Sequence, residues 1–319
     1  VTADPVLAAM HDAAIRRAEK DAPMAKQTSW RIGGAADYLC VVEEETQLEA
    51  AIAVAKRHRL PWLVLGGGNN LLVADAGIEG LVILNRLRGI AIEDGPRVAC
   101  GAGVFFARAA QFTAKNGYTG MEWGIAIPGT VGGGVVNNAG AHGSDISRSL
   151  ISADLVDAEG KRERVTPEDL AYRYRQSALK TPYAAQSRFV VTNCRFRLQP
   201  DEPAAAMARV EELRRHRLRT QPVKEASAGS TFKNPEGGHA GALIDRAGLK
   251  GYRIGGAQIA PLHANFILNL GNATAADVVA LIELAQQRVW ERFRVRLEPE
   301  VQFVGRWPEA ALKPMLEPA

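Results

Sequence analysis

Gly124-Ile-Ala-Ile-Pro128-Gly-Thr-Val-Gly-Gly-Gly-Val-Val-Asn-Asn-Ala-Gly140 places six glycines in seventeen residues and carries no charged side chain. The composition predicts a loop that holds something close. Glycine reaches backbone angles closed to other residues and lets a ligand approach the main chain, while Pro128 fixes one turn and removes one donor. Successive N–H groups in such a loop form an anion-binding concavity without any lysine. A phosphate-bearing cofactor is therefore one guest. A tightly packed turn between two buried elements explains the same residues, and this stretch alone leaves both readings open.

A second glycine loop lies upstream. Trp62-Leu63-Val64-Leu65 is a short apolar run of the kind a buried strand requires, and it delivers Gly66-Gly67-Gly68-Asn69-Asn70. The loop lacks the Gly-Lys-Ser/Thr ending of a P-loop. Leu71 stands where the third glycine of a dinucleotide fingerprint belongs, so neither common nucleotide motif is present. The pair of glycine loops favours a phosphate cradle over two unrelated turns. Gly101-Ala102-Gly103 needs only a turn between the strand Val98 to Cys100 and a helix from Val104 to Lys115.

Further strands are expected at Ala36 to Val42, Leu81 to Leu84, Ile151 to Val156 and Phe189 to Leu198, each rich in β-branched or aromatic residues. Thr46 and Glu49 have capping-box spacing ahead of Leu48, Ala51, Ile52 and Ala55. Residues 1–22 form an N-terminal arm or helix, and Asp201-Glu202-Pro203 marks a boundary. Beyond it the pattern predicts a basic helix over 204–219, a polar loop over 224–239, strands within 252–259 and 265–270, and a long helix led by Thr274 and Asp277. The last strand runs from Val301 to Val304. The first half therefore reads as α/β with many short strands.

The chain has 319 residues, 47% hydrophobic and 23% charged, as in an ordinary folded protein, and its net charge of +4 suits an enzyme that handles anionic small molecules and a weak nucleic-acid binder equally. Cys40, Cys100 and Cys194 are odd in number and have no metal-ligand spacing, so neither a disulfide framework nor a metal site is expected, and a reducing cytoplasmic setting fits. No run is long and apolar enough to span a bilayer.

Three separated motifs hold polar residues that neither periodicity nor turn chemistry demands: Tyr174-Arg175-Gln176-Ser177, Ala228-Gly229-Ser230-Thr231-Phe232-Lys233-Asn234-Pro235 and Leu297-Glu298-Pro299-Glu300-Val301. Singly, each has a plain explanation: a surface cation, a turn serine and an exposed strand position. Together with the loop Gly66 to Asn70 followed by Leu71-Leu72-Val73, the run Ile127-Pro128-Gly129-Thr130-Val131-Gly132-Gly133 and the segment Arg253-Ile254-Gly255-Gly256-Ala257, they resemble the UDP-N-acetylenolpyruvoylglucosamine reductases of bacterial peptidoglycan synthesis. The resemblance covers Trp30 to Gly305.

It implies an α+β fold: a two-part FAD-binding domain of the p-cresol methylhydroxylase type over 23–203, split near residue 95, and a C-terminal α+β substrate-binding domain over 204–319. It implies non-covalent FAD contacted by Gly66, Gly67, Gly68, Asn69, Asn70, Leu71, Pro128, Gly129, Thr130, Gly132, Gly133, Asn138 and Ala139. NADPH is the implied co-substrate and UDP-N-acetylglucosamine enolpyruvate the small-molecule substrate, met by Arg217, Lys233, Asn234 and Arg253. A cytoplasmic monomer that serves cell-wall growth, cell shape and division follows from the same resemblance, with no nucleic-acid or membrane partner and no metal.

The implied catalytic residues are Arg175, Ser230 and Glu300. Hydride addition to an enolpyruvyl double bond pushes negative charge onto the conjugated carboxylate. Arg175 can meet that charge with two hydrogen bonds. Glu300 fits beside the same carboxylate only if it is protonated or paired. Ser230 is the implied proton donor to the ether-bearing carbon, and a hydroxyl needs an adjacent cation or relay for this, for which Lys233 or a water is the candidate. The sequence departs from the family pattern at Asn69, where serine is usual, and at His142-Gly143-Ser144. His142 suggests a covalent flavin, whereas the family binds FAD without attachment. Arg175 and Ser230 lie 55 positions apart, which matches the shorter form of the family without its extra tyrosine-bearing loop. The competing readings are an alcohol or sugar oxidase of the same superfamily and a non-catalytic FAD-binding module.

Overall fold

The computed structural model describes residues 4–180, 188–308 and 312. The ends of the expected N-terminal arm and C-terminal domain, and residues 181–187 of the expected FAD-binding domain, lie outside the described residues.

The fold is α+β. The chain forms two compact units, one made of the N-terminal residues through Ala22, Asp37–Gly67 and Gly80–His216, the other of Pro23–Ala36, Gly68–Glu79 and the residues from Arg217 onward. These units differ from the contiguous segments expected from the sequence, for reasons visible in the packing. Val6 and Met10 of the helix Pro5–Asp12 bury in the same cluster as Leu48, Ile52 and Leu81, so the N-terminal arm is part of the first unit. Trp30 is fully buried and donates its indole N–H to the Ile267 carbonyl at 2.7 Å, which ties residues 23–36 to the second unit. Ala206 and Val210 of the helix Pro203–Thr220 pack with Ala110, Ala114 and Ile125, so most of that helix closes the first unit.

The first unit contains two sheets. The four-stranded sheet has the order Ala18–Pro23, Ala35–Val42, Ile78–Asn85, Trp62–Leu65. Its last two strands are parallel, with Leu65 opposite Leu84, so the residues that follow, Gly66 and Asn85, leave the sheet at the same edge. The helix Glu45–Arg57 buries Leu48, Ala51, Ile52 and Ala55 as the spacing predicts. Its capping box, however, is Glu44 with Gln47, whose amide oxygen accepts from the N–H groups of Glu43 and Glu44 at 2.9 and 3.3 Å. Thr46 and Glu49 sit inside the helix, and Glu49 bonds Arg162 instead.

The second sheet is antiparallel, ordered Arg162–Val165, Leu150–Asp157, Phe189–Arg197, Arg97–Gly101, Ile90–Glu93. The chain changes sheets between Asn85 and Ile90, a few residues before the expected split near 95. Behind this sheet the Gly124 to Gly140 stretch is not a loop. It forms a 3₁₀ turn, Glu122–Ala126, and a helix, Val131–Asn137. Three consecutive glycines oppose helix formation by roughly 1 kcal/mol each, so packing must impose the helix. A β-carbon on Gly132 would lie 2.7 Å from that of Ala102, and one on Gly134 would overlap the Phe106 ring. Glycine here admits close approach of two elements.

The second unit pairs Leu71–Val73 in parallel with Gln302–Val304 and has a three-stranded antiparallel sheet, Arg253–Ile254, Ala257–Ile259, Ile267–Asn269. The helix Ala275–Phe293 buries Val278, Ile282, Ala285 and Val289. Thr274 and Asp277 close its N-terminus reciprocally, hydroxyl to N–H at 3.1 Å and carboxylate to N–H at 3.0 Å, as their spacing predicts.

Candidate active site

In the first unit the two glycine-rich stretches meet. The Thr130 hydroxyl occupies the space that a β-carbon on Gly66 would fill. Arg86 donates from Nη1 to the Gly66 carbonyl at 2.6 Å. Thr130 is 2% exposed, yet its hydroxyl has no hydrogen-bond partner among the described residues. Leaving a buried hydroxyl unpaired costs about 1–3 kcal/mol, so an oxygen-rich guest beside Gly66 and Thr130 fits the site. Gly133, exposed one turn into the helix, leaves the approach open. A phosphate-bearing group such as FAD thus fits the residues present.

Several of the residues expected at the cofactor use polar groups inside the protein. The N–H groups of Val131 and Gly132 already donate to the carbonyls of Val104 and Ala102 at 2.8 and 2.9 Å. The Gly129 carbonyl accepts from Phe106, and Pro128 is exposed. Asn138, expected at the cofactor, caps the helix in the left-handed region at φ 44°. Its amide donates to the Arg173 carbonyl at 3.0 Å and accepts from Ser147 N–H at 3.3 Å, so the side chain is engaged inside the protein. Ala139 likewise spends its N–H on Gly134.

Arg175 stands at the tip of a tight turn in which Arg173 and Gln176 exchange both backbone hydrogen bonds at 3.1 Å. Its own φ is +55°, an uncommon conformation for a residue with a side chain. The turn is moored to the end of the glycine-rich helix, whose last carbonyls lack helical partners. Tyr172 donates to Val135 O at 3.0 Å, Ser177 to Val136 O at 2.6 Å, and the Arg175 guanidinium to Asn138 O and Gly140 O at 3.3 and 2.7 Å. Burial pushes the Tyr172 hydroxyl's pKa up, which keeps it a neutral donor. The sequence-predicted glycine stretch and the sequence-predicted arginine are therefore one hydrogen-bonded assembly.

In the second unit the remaining two motifs lie side by side. Glu300 N–H donates to Thr231 O at 2.8 Å, Lys233 N–H to Glu298 O at 2.9 Å, and the Lys233 ammonium pairs with the Glu298 carboxylate. Lys233, expected at the substrate or as a proton relay, is 8% exposed and serves as the clasp between the two segments. Asn70 joins them: its amide donates to Glu300 O at 3.2 Å and its carbonyl accepts from Gln302. Leu71 follows in the strand that pairs with Gln302. Asn69 has a buried amide oxygen with no partner among the described residues, so it retains a free acceptor.

Ser230 lines a cavity of about 300 Å³ together with Asn234, His239, Asp245, Lys250 and His263. Two residues of this region had no sequence signal. Buried Asn265 grips the Thr231-Phe232-Lys233 backbone, accepting from Phe232 N–H and donating to Phe232 O, both at 2.9 Å. His263 accepts from Asn265 N–H at Nδ1, 3.3 Å away, and burial lowers its pKa, which favours the neutral ring. An asparagine beside an apolar run looks like a turn residue, and only the fold reveals its two-ended bond. Of the other expected substrate contacts, Asn234 accepts from Ala240 N–H at 3.1 Å, Arg253 donates to the Gly255 carbonyl at 2.8 Å, and Arg217 has a buried Nε without a partner among the described residues. Burial also lowers the Arg217 pKa.

His142 is exposed at φ 53°, its ring 5.4 Å from that of His216. No group of three His, Cys, Asp or Glu residues among the described residues is arranged to hold a metal ion.

Comparison with known proteins matches residues 36–166 to an FAD binding domain family and residues 221–304 to the family described as UDP-N-acetylenolpyruvoylglucosamine reductase, C-terminal domain. The chain is 43% identical over 295 residues to the UDP-N-acetylenolpyruvoylglucosamine reductase of a Synechococcus species, covering 92% of this chain and 93% of that one. It is 41% identical over 302 residues to the reductase of Rubrobacter xylanophilus, covering 93% and 99%. The crystal structure of UDP-N-acetylenolpyruvylglucosamine reductase from Thermus caldophilus matches with a TM-score of 0.74 at 34% identity, over 92% of this chain and 98% of that one.

Proposed function

Because this chain belongs to the UDP-N-acetylenolpyruvoylglucosamine reductase family, we propose that it reduces the enolpyruvyl ether of UDP-N-acetylglucosamine to the lactyl ether of UDP-N-acetylmuramate, with NADPH as the reductant. Bound FAD supplies the hydride chemistry.

The chain's own residues supply binding and charge. Gly66, Gly67, Thr130 and Gly133 hold the cofactor's diphosphate, the buried Thr130 hydroxyl finding there the partner it lacks in the protein. Asn69, Asn70 and Leu71 continue that contact. Arg175 holds the substrate carboxylate as negative charge develops on it. Its geometry is fixed beforehand by the Asn138 and Gly140 carbonyls, and prearranged donors matter most where charge appears only in the transition state. Ser230 gives a proton to the ether-bearing carbon, and Glu300 lies at the carboxylate. Arg217, Asn234 and Arg253 meet the nucleotide sugar, with Lys233 holding the segment between them. The reading extends to a monomer acting in cell-wall synthesis in the cytoplasm, a reducing setting that suits the three buried, unpaired cysteines.

The observation that carries the reading is the pairing of the Ser230 and Glu300 segments through Thr231 O and Glu300 N–H, because the oxidase alternative has no use for a proton donor there. Anaerobic addition of NADPH should bleach the flavin absorbance, and the enolpyruvyl substrate should then restore it. Flavin that stays reduced, or peroxide formation with a sugar or alcohol instead, refutes the assignment.

A further inference from the structure

Arg86 follows the strand Ile78–Asn85 and lies at the edge from which Gly66 emerges, since that strand runs parallel to Trp62–Leu65. Its backbone is fixed: Arg86 N–H donates to Val42 O at 2.8 Å, and the next residues accept from Gly103 N–H on Leu87 O and from Gly101 N–H on Gly89 O. From this base Nη1 reaches the Gly66 carbonyl at 2.6 Å and the Asn85 carbonyl at 3.2 Å. Arg86 is half-buried, and among the described residues no carboxylate pairs with it. Burial, and after it the charges of Arg88 and Arg17, lower its pKa.

Two consequences follow. A trans peptide points its C=O and N–H in opposite directions, so bonding the Gly66 carbonyl to Arg86 turns the Gly67 N–H away from the guanidinium and fixes that donor's direction. A guanidinium stays charged at any ordinary pH, and a half-buried charge without a counter-ion is costly unless an anion arrives with the ligand. Resting on the reading that this loop holds FAD, we propose that Arg86 is a positioning residue for the cofactor: it sets the Gly66–Gly67 peptide plane and, from the far side of that peptide, adds positive charge that favours the bound diphosphate.

The test is FAD binding to flavin-stripped protein, followed by flavin fluorescence quenching at several salt concentrations. Arg86→Met should weaken FAD binding at least 10-fold and flatten its salt dependence. Arg86→Lys, which keeps the charge and a donor, should remain within a few-fold of the original protein. Melting of the stripped proteins should differ little between Met and Lys. Equal affinity in Arg86→Met, an unchanged salt dependence, or a loss in Lys as large as in Met overturns the proposal. If Arg86→Met does not fold, Arg86→Gln carries the same comparison. Failure of the original protein to bind FAD at all would instead overturn the underlying reading of the loop.

Discussion

The hydroxyl of Thr130 stands where a side chain on Gly66 would have to begin. Two glycine-rich stretches far apart in sequence thus form one surface, and the missing β-carbon is a condition of their contact. Gly66→Ala should therefore cost about 1–3 kcal/mol of stability through overpacking and weaken FAD binding. Thr130→Gly in the Gly66→Ala background should recover part of the stability. Denaturant unfolding of the four proteins in the cycle measures the coupling, expected to be at least about 1 kcal/mol for residues in direct contact. Additive effects would mean that the two do not touch in solution.

Arg175 combines a strained backbone with the side chain proposed to hold the substrate carboxylate. At φ +55° a β-carbon costs about 1–2 kcal/mol relative to glycine. Arg175→Gly should consequently be more stable than Arg175→Ala by about 1 kcal/mol, although it removes more of the residue. Both variants should lose substrate reduction by on the order of 10²–10³-fold, the loss typical of a donor to developing charge. Melting curves and single-turnover rates check the two halves separately. An alanine variant as stable as the glycine variant would show that the turn relaxes.

Ser230 should act in only one half of the reaction. Ser230→Ala is expected to leave NADPH-driven flavin reduction nearly unchanged and to slow substrate reduction by on the order of 10²–10⁴-fold, the range for a lost proton donor. Stopped-flow absorbance follows each half-reaction by itself, and equal impairment of both excludes Ser230 as that donor.

These residues differ in how plainly the sequence announced them. Strands such as Trp62–Leu65 and the cap at Thr274 were legible because they depend on neighbours within a few positions. The glycine helix was not, because Gly132 and Gly134 have poor helical propensity and the helix is imposed by Ala102 and Phe106 from another part of the chain. Arg175, Ser230 and Glu300 stood out only as a family pattern. Their supports, the Tyr172 and Ser177 hydroxyls on the helix carbonyls and the Asn265 amide on Phe232, carry no local signal at all. Lys233 shows what a polar motif hides: its ammonium is buried and paired with the Glu298 carboxylate, a partner that the sequence spacing does not announce.

Glu122, which no functional argument singled out, gives the first unit a pH-dependent tie. Burial opposes its charge, but the Thr119 hydroxyl at 2.6 Å, the Gly120 N–H at 2.7 Å and Arg209 Nε at 3.0 Å outweigh that and hold its pKa below the ordinary value of 4.5. Because the folded value is the lower one, the stabilisation is fully present above the unfolded value and disappears as pH falls through the folded value. Arg209 is partly exposed, with 42% of its side chain accessible, so most of the effect rests on the two shorter bonds. Glu122→Gln should cost about 1–3 kcal/mol at neutral pH, and the gap from the original protein should narrow steadily below about pH 4.5. Urea titrations at neutral and acidic pH measure it. A gap that stays constant across that range would mean the carboxylate's charge contributes nothing and only its shape matters.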